Sequence, residues 1–339
     1  MFSYSFHCSI VAESLSTLSL EVTTVCDLKC KHCFALSPPV SKARLSWESA
    51  KEIIHLGWES GFRVLHMTGG EPTLWKHLFD AVRLAQNIGY TAAYFNTHGG
   101  FLTEKFCNEW KEVSDFVFCT LSLDGKEETH DSFRGKGTWQ RAVEGLKQAE
   151  RAGLSVDVFF TVRKSNWEEI PEFTSWLYTH FKNIRRITLV QFHLSEDEKH
   201  SFPEELLSEE EFVSVVRMAS LLCLAGYEFY FLDNPLTNVT SEKIGFILPS
   251  PSPSSRRKSH AFFFQDQTWG YAHSLREFKQ KISLGEFIET KIEQPDVCIS
   301  CPHEKDCETH GVLPPVEGFF GKETIPFCRR VLDYVETNV

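Results

Sequence analysis

Leu18–Thr24 (LSLEVTT) alternates apolar and polar residues, the period of a strand with two unlike faces. Short apolar runs recur at Arg63–Met67, Tyr90–Asn96, Asp115–Leu123, Ser155–Val162 and Arg185–Phe192. Between them lie longer segments with the 3.6-residue period of helices: Ser46–Ser60, Leu78–Ile88, Glu104–Glu112, Trp139–Ala152 and Glu168–Phe181, the first with Ser46 as a ready N-cap before Trp47. Regular strand–helix alternation predicts a parallel sheet covered by helices. TGGEP (Thr68–Pro72), NTHGG (Asn96–Gly100) and SLDG (Ser122–Gly125) each follow a strand end. Parallel α/β sheets bind ligands at that edge, so these motifs converge on one face.

After Phe192 the alternation stops. Leu194–Glu205 is charged, Glu209–Ala225 is helical, and Gly245–His260 is rich in Pro and Ser and reads as a loop or linker. A smaller, cysteine-bearing module follows from Ala261. The expected organisation is an α/β core over residues 1–200, a helical and loop connector over 201–260, and the module over 261–339.

The chain has 339 residues, 42% apolar and 24% charged, which excludes disorder as its main state. No run approaches the roughly 20 apolar residues that cross a bilayer. Met1–Ala12 is apolar without a basic start, which reads against a secretory signal and for a cytoplasmic protein. A net charge of −11 excludes a broad nucleic-acid surface.

The eleven cysteines are the anomaly. An odd count without an export signal is a poor disulfide framework, and the alternative is metal. Cys26, Cys30 and Cys33 form a CxxxCxxC loop directly after the first strand. Cys298, Cys301, Cys307 and Cys328 form a second set, and Cys8, Cys107, Cys119 and Cys223 remain. Structural zinc wants four closed ligands. Three thiolates instead suit an iron–sulfur cluster with one iron left open to a small-molecule ligand. The four C-terminal cysteines suit either a saturated cluster or zinc.

The Cys26, Cys30 and Cys33 loop, with His32 before its last cysteine, resembles the signature of radical S-adenosylmethionine (SAM) enzymes. The likeness extends to TGGEP after the second strand, SLDG after the fourth, and HDSFRG (His130–Gly135) beyond it. It implies a partial (β/α)6 barrel, with a 4Fe–4S cluster on the three cysteines and SAM chelated at the open iron. The SAM pocket would then be lined by His32, Gly69, Gly70, Glu71, Pro72, Thr97, Ser122, Asp124 and Arg134. In that role Glu71 accepts from an ammonium group, and Arg134 forks onto the methionine carboxylate. No catalytic residue is assigned.

The C-terminal set is similar to one half of a SPASM or twitch domain. Cys298, Cys301, Cys307 and Cys328 match one auxiliary cluster, whereas Ala272 and Gly311 stand where the second would have cysteines. One auxiliary 4Fe–4S cluster is expected, with a zinc site as the alternative. The resemblance implies an oxidoreductase or maturase acting on a peptide or protein, served by a flavodoxin- or ferredoxin-like electron donor. The alternatives are a tetrapyrrole or other small-molecule modifier, to which the basic Arg256–Lys258 run would offer a propionate contact, and a metal-binding protein without radical chemistry.

Overall fold

The computed structural model describes residues 16–33, 35, 43–113, 117–192, 194, 202–232, 236–246, 260–271, 279–290, 301–302 and 327–339. The six strands marked by the alternation form, each within a few residues of its expected bounds: β1 (Thr17–Thr23), β2 (Val64–Gly69), β3 (Ala92–Thr97), β4 (Val117–Ser122), β5 (Val156–Val162) and β6 (Ile184–Gln191). Each pairs in parallel with the next. Further strands extend both edges. β7 (Phe229–Phe231) lies parallel to β6, β8 (His260–Phe263) lies parallel to β1, and β9 (Trp269–Gly270) runs antiparallel to β8. The order β7-β6-β5-β4-β3-β2-β1-β8-β9 leaves the sheet open, a partial barrel.

The helices are α1 (Trp47–Glu59), α2 (Leu78–Ile88), α3 (Glu104–Val113), α4 (Glu127–Arg134), α5 (Thr138–Arg151), α6 (Ile170–His180), α7 (Glu209–Leu224), α8 (Leu236–Lys243), α9 (Leu284–Glu289) and α10 (Phe327–Asn338). Ser46 caps α1 by accepting from the Ser49 amide at 3.1 Å. Gly89, at φ 116°, ends α2 in the left-handed region that glycine adopts without strain.

The strands have two unlike faces, and this decides where the site lies. Leu18, Leu20, Leu65, Met67, Phe95, Leu121, Val158 and Phe160 share the main core with Ile54, Ala85, Trp110, Leu146 and Leu177 of the helices. The other face is polar and also buried, with Ser19, His66, Thr120, Asp157 and Thr188. Its groups pair across strands. Ser19 Oγ lies 2.8 Å from His66 Nδ1, His66 Nε2 lies 3.1 Å from Asn96 Oδ1, and Arg186 donates to Asp157 at 3.0 Å.

Helices α4, α8, α9 and α10 had no counterpart in the sequence reading. α4 (EETHDSFR) buries only His130 and Phe133, too few to draw an apolar stripe. α10 buries Phe327, Val331, Leu332 and Val335 and packs on α7 and α8. There the Phe212 and Phe327 rings lie 5.6 Å apart, Arg330 pairs with Glu209, and Lys243 meets Glu336 at 3.2 Å. The end of the cysteine-bearing module therefore folds back on the connector, while β8 joins the core sheet. Cys8, the Arg256–Lys258 run, Ala272, Cys298, Cys307 and Gly311 lie outside the described residues. Among the described residues no helix is long and apolar enough to cross a membrane.

Candidate active site

The chain leaves β1 through a turn that the Thr23 hydroxyl fixes, accepting from the Val25 amide at 3.0 Å and donating to the Ala43 carbonyl at 3.1 Å. The Cys26, Cys30 and Cys33 loop follows, each cysteine half-buried. The loop is fastened to the end of α4: the Lys31 amide donates to the Phe133 carbonyl at 2.8 Å, and Cys30 Sγ lies 3.9 Å from the Arg134 carbonyl. Burial pushes the Cys26 thiol up to about 12 and the Cys30 thiol up to about 11. This environment opposes bare thiolates and favours thiolates whose charge a metal compensates. Three soft donors on one short loop fit an iron–sulfur cluster.

The TGGEP turn explains its two glycines through the protein's own backbone. A Cβ on Gly69 would stand 1.9 Å from the Thr23 carbonyl oxygen, and one on Gly70 would stand 2.2 Å from that of Val25. The Gly70 and Glu71 amides donate to those same carbonyls, both at 2.7 Å. The glycines thus bring the end of β2 into contact with the cysteine loop. Pro72 is buried and opens the 3-10 turn Pro72–Leu74, which Glu71 caps.

Glu71 is fully buried, and the chain supplies its donors. Oε1 accepts from the Thr73 amide (3.2 Å) and hydroxyl (2.7 Å), and Oε2 from the His98 amide (3.0 Å). The Gly100 amide donates to His98 Nδ1, so Nε2 carries the proton, 2.8 Å from Asp27 Oδ1 and 3.2 Å from Glu71 Oε2. Arg141 completes the chain, donating to Asp27 Oδ2 at 2.7 Å. The His98 hydrogen bond, with Arg141 behind it, holds the Asp27 carboxyl well below the usual range against the opposing effect of burial. Cys26, Asp27 and His98 have ligand atoms within 4.8 Å of one another. Asp27 and His98 already satisfy each other, so these two form a wall beside Cys26.

Asp124 is the electrostatic centre of the other side. It is fully buried, and burial alone would raise its pKa. The Arg134 guanidinium outweighs that, donating from Nε to Oδ2 at 2.6 Å and from Nη2 to Oδ1 at 3.3 Å. The Thr161 amide adds a third bond at 2.8 Å, and the carboxyl sits well below its usual range. Beside it, burial and the Arg134 charge push His32 down to about 3, and burial pushes His130 down to about 4. Both rings are neutral at pH 7. His130 Nδ1 accepts from the Asp124 amide at 3.1 Å, whereas His32 Nδ1 has no partner among the described residues.

The expected residues therefore divide. His32, Asp124 and Arg134 cluster at the cysteine loop, and Gly69–Pro72 fasten to it. Ser122 is half-buried at the end of β4, on the polar face with Thr120. Thr97 falls on the opposite, helix-covered face with Phe95, its hydroxyl accepting from the Gly99 amide at 3.0 Å. The polar-face residue at that strand end is Asn96, which contacts His66 and Thr68. The sequence reading passed over Arg163, which sits one residue beyond β5 and is fully buried, its guanidinium 3.6 Å from the centre of the Phe133 ring. The step of two from Asp157 through Phe159 and Thr161 would have placed it on the polar face.

Residues 20–177 match the model of the Radical SAM superfamily. The Fe-coproporphyrin III synthase of Methanosarcina barkeri is 35% identical over 152 residues, 44% of this chain and 38% of that protein. The mycofactocin maturase MftC of Mycolicibacterium smegmatis is 29% identical over 160 residues, 47% of this chain and 40% of that one. The chain thus spans about two fifths of the length of these curated relatives. Streptococcus suis SuiB, solved with its precursor peptide SuiA, shares the fold with a TM-score of 0.69 and 15% identity, covering 92% of this chain and 74% of SuiB.

Proposed function

We propose, for a chain that carries a radical SAM domain at residues 20–177, that it is a radical SAM enzyme of peptide or protein maturation. The observation that carries the reading is the Cys26, Cys30 and Cys33 loop, fastened on one side to the TGGEP turn and on the other to the Asp124–Arg134 pair. What the cluster and SAM supply when bound is one electron and a 5′-deoxyadenosyl radical, which takes a hydrogen atom from the substrate. The protein's own residues bind and orient. Cys26, Cys30 and Cys33 hold the cluster, and Gly69–Pro72 fix the height of the loop. Neutral His32 sits in the loop that would hold the cluster, and Asp124 beside it and Ser122 at the end of β4 would serve SAM there.

Cys298, Cys301, Cys307 and Cys328 hold one auxiliary 4Fe–4S cluster in this reading. A flavodoxin- or ferredoxin-like protein delivers the electron, in the cytoplasm. The maturase MftC among the relatives and SuiB, solved with a precursor peptide, support a peptide substrate. The second reading is tetrapyrrole modification, favoured by the higher identity to the Fe-coproporphyrin III synthase.

Iron and sulfide per chain after anaerobic reconstitution test the cofactors. Wild type is expected to hold about eight iron atoms, and a variant with Cys26, Cys30 and Cys33 all changed to Ala about four. The variant should form no 5′-deoxyadenosine from SAM under reducing conditions. Iron loading that the triple change does not alter would refute the site. Iron-coproporphyrin that raises wild-type 5′-deoxyadenosine formation above its substrate-free level would replace the peptide reading with the tetrapyrrole one.

A further inference from the structure

The resemblance assigned the methionine carboxylate to Arg134, but that guanidinium turns its Nε and Nη2 to Asp124. The guanidinium with buried, unpartnered donors is Arg163. Its Nε and Nη1 have no hydrogen-bond partner among the described residues, and its Nη2 reaches only the Thr129 carbonyl at 3.4 Å. Its backbone is pinned: the amide donates to Asn166 Oδ1 at 2.7 Å, and the carbonyl accepts from the Trp167 amide at 3.0 Å. Phe133 lies beneath the guanidinium, and the carbonyl of the same residue holds the cysteine loop at Lys31.

The neighbouring carboxylates have other partners. Asp124 is shared between Arg134 and the Thr161 amide. Glu169 accepts from the Lys126 amide at 2.8 Å and the Thr129 hydroxyl at 2.6 Å. Glu205 accepts from the Ser165 amide at 3.1 Å and hydroxyl at 2.6 Å. Only Asp124 of these carboxylates is fully buried, and among the described residues none of the three accepts a hydrogen bond from the Arg163 guanidinium. A buried charge is ordinarily paired, because leaving it unpaired is costly. An acceptor for Nε and Nη1 is what a carboxylate on a ligand would bring.

We propose that Arg163 anchors a carboxylate of the bound ligand, beside Phe133, His32 and Arg134. The methionine carboxylate of SAM is the first source, a choice that rests on the radical SAM reading. A carboxylate on the substrate offers the same chemistry. Planar guanidinium donors suit carboxylates, and Lys cannot reproduce them fully.

The test uses anaerobically reconstituted wild type, R163M and R163K, titrated with SAM and with decarboxylated SAM. Wild type should prefer SAM by about 10- to 100-fold. R163M should lose about tenfold of that preference, the part not owed to chelation at the iron, while binding decarboxylated SAM as wild type does, and R163K should recover part of the loss. Ligand-free R163M should melt no lower than wild type, since the change removes an unpaired buried charge, whereas a merely structural arginine would leave a less stable variant. Acetate that stabilises SAM-saturated wild type but not SAM-saturated R163M assigns the anchor to the substrate's carboxylate. An unchanged SAM preference in R163M, with equal acetate effects, overturns the anchor and leaves the radical SAM reading standing. Wild type that binds neither form of SAM overturns both.

Discussion

Replacing Asp124 by Asn removes one charge and keeps the shape. The carboxylate accepts from Arg134 Nε at 2.6 Å, from Arg134 Nη2 at 3.3 Å and from the Thr161 amide at 2.8 Å. An amide keeps one acceptor and turns an NH2 group toward one of those donors. Arg134, itself largely buried, is left without its counter-charge. Breaking a buried pair by removing one partner costs about 3–5 kcal/mol. Urea unfolding at pH 7 is the assay, and D124N is expected to lose that amount. A companion D124N/R134M variant should cost less than the sum of the two single changes, because the unpaired charge is gone. The pH dependence has a defined sign. Asp124 sits below its unfolded value in the folded state, so its contribution is complete above about pH 4 and is lost as pH falls below that. The gap between wild type and D124N should therefore narrow in acid and stay constant from pH 5 to 8. A D124N cost under about 1 kcal/mol, the range of an exposed pair, would refute the account of this cluster.

Gly70→Ala would drive a Cβ to 2.2 Å from the Val25 carbonyl, so it should cost about 1–3 kcal/mol of stability and lower iron retention at the first cluster. Wild-type iron content and an unchanged urea midpoint would show that the turn has room. Changing Cys301 and Cys328 together to Ala should lower iron from about eight to about four per chain; metal analysis that finds zinc in wild type instead would make the C-terminal cysteines a structural zinc site. Ser208 accepts from the Glu211 amide and its own amide is held by Glu211, a capping box at the head of α7. Ser208→Ala should cost about 1 kcal/mol in urea unfolding, and no measurable loss would mean that packing under α10 alone sets that helix end.

What was legible in the sequence follows from how local each determinant is. The six core strands and the helices between them announce themselves by period, because a residue's face depends only on its neighbours two to four positions away. The cysteine loop and the Gly-rich turn were legible for the same reason, as short motifs at strand ends. The glycines' demand was not: it comes from the Thr23 and Val25 carbonyls more than forty residues earlier in the chain. β8 pairs with β1 across some 240 residues, and nothing within His260–Phe263 names that partner. Arg134 and Arg163 make the point most sharply. Arg134 ends α4 inside a known motif, Arg163 follows β5 outside any, and the sequence assigned the ligand to the first. Which of them is free is decided by Asp124, ten residues before one and thirty-nine before the other, and by Thr161, whose amide fixes the carboxylate's orientation. A charged residue at a strand end is thus readable as facing the pocket, but its availability to a ligand is a property of the packed cluster.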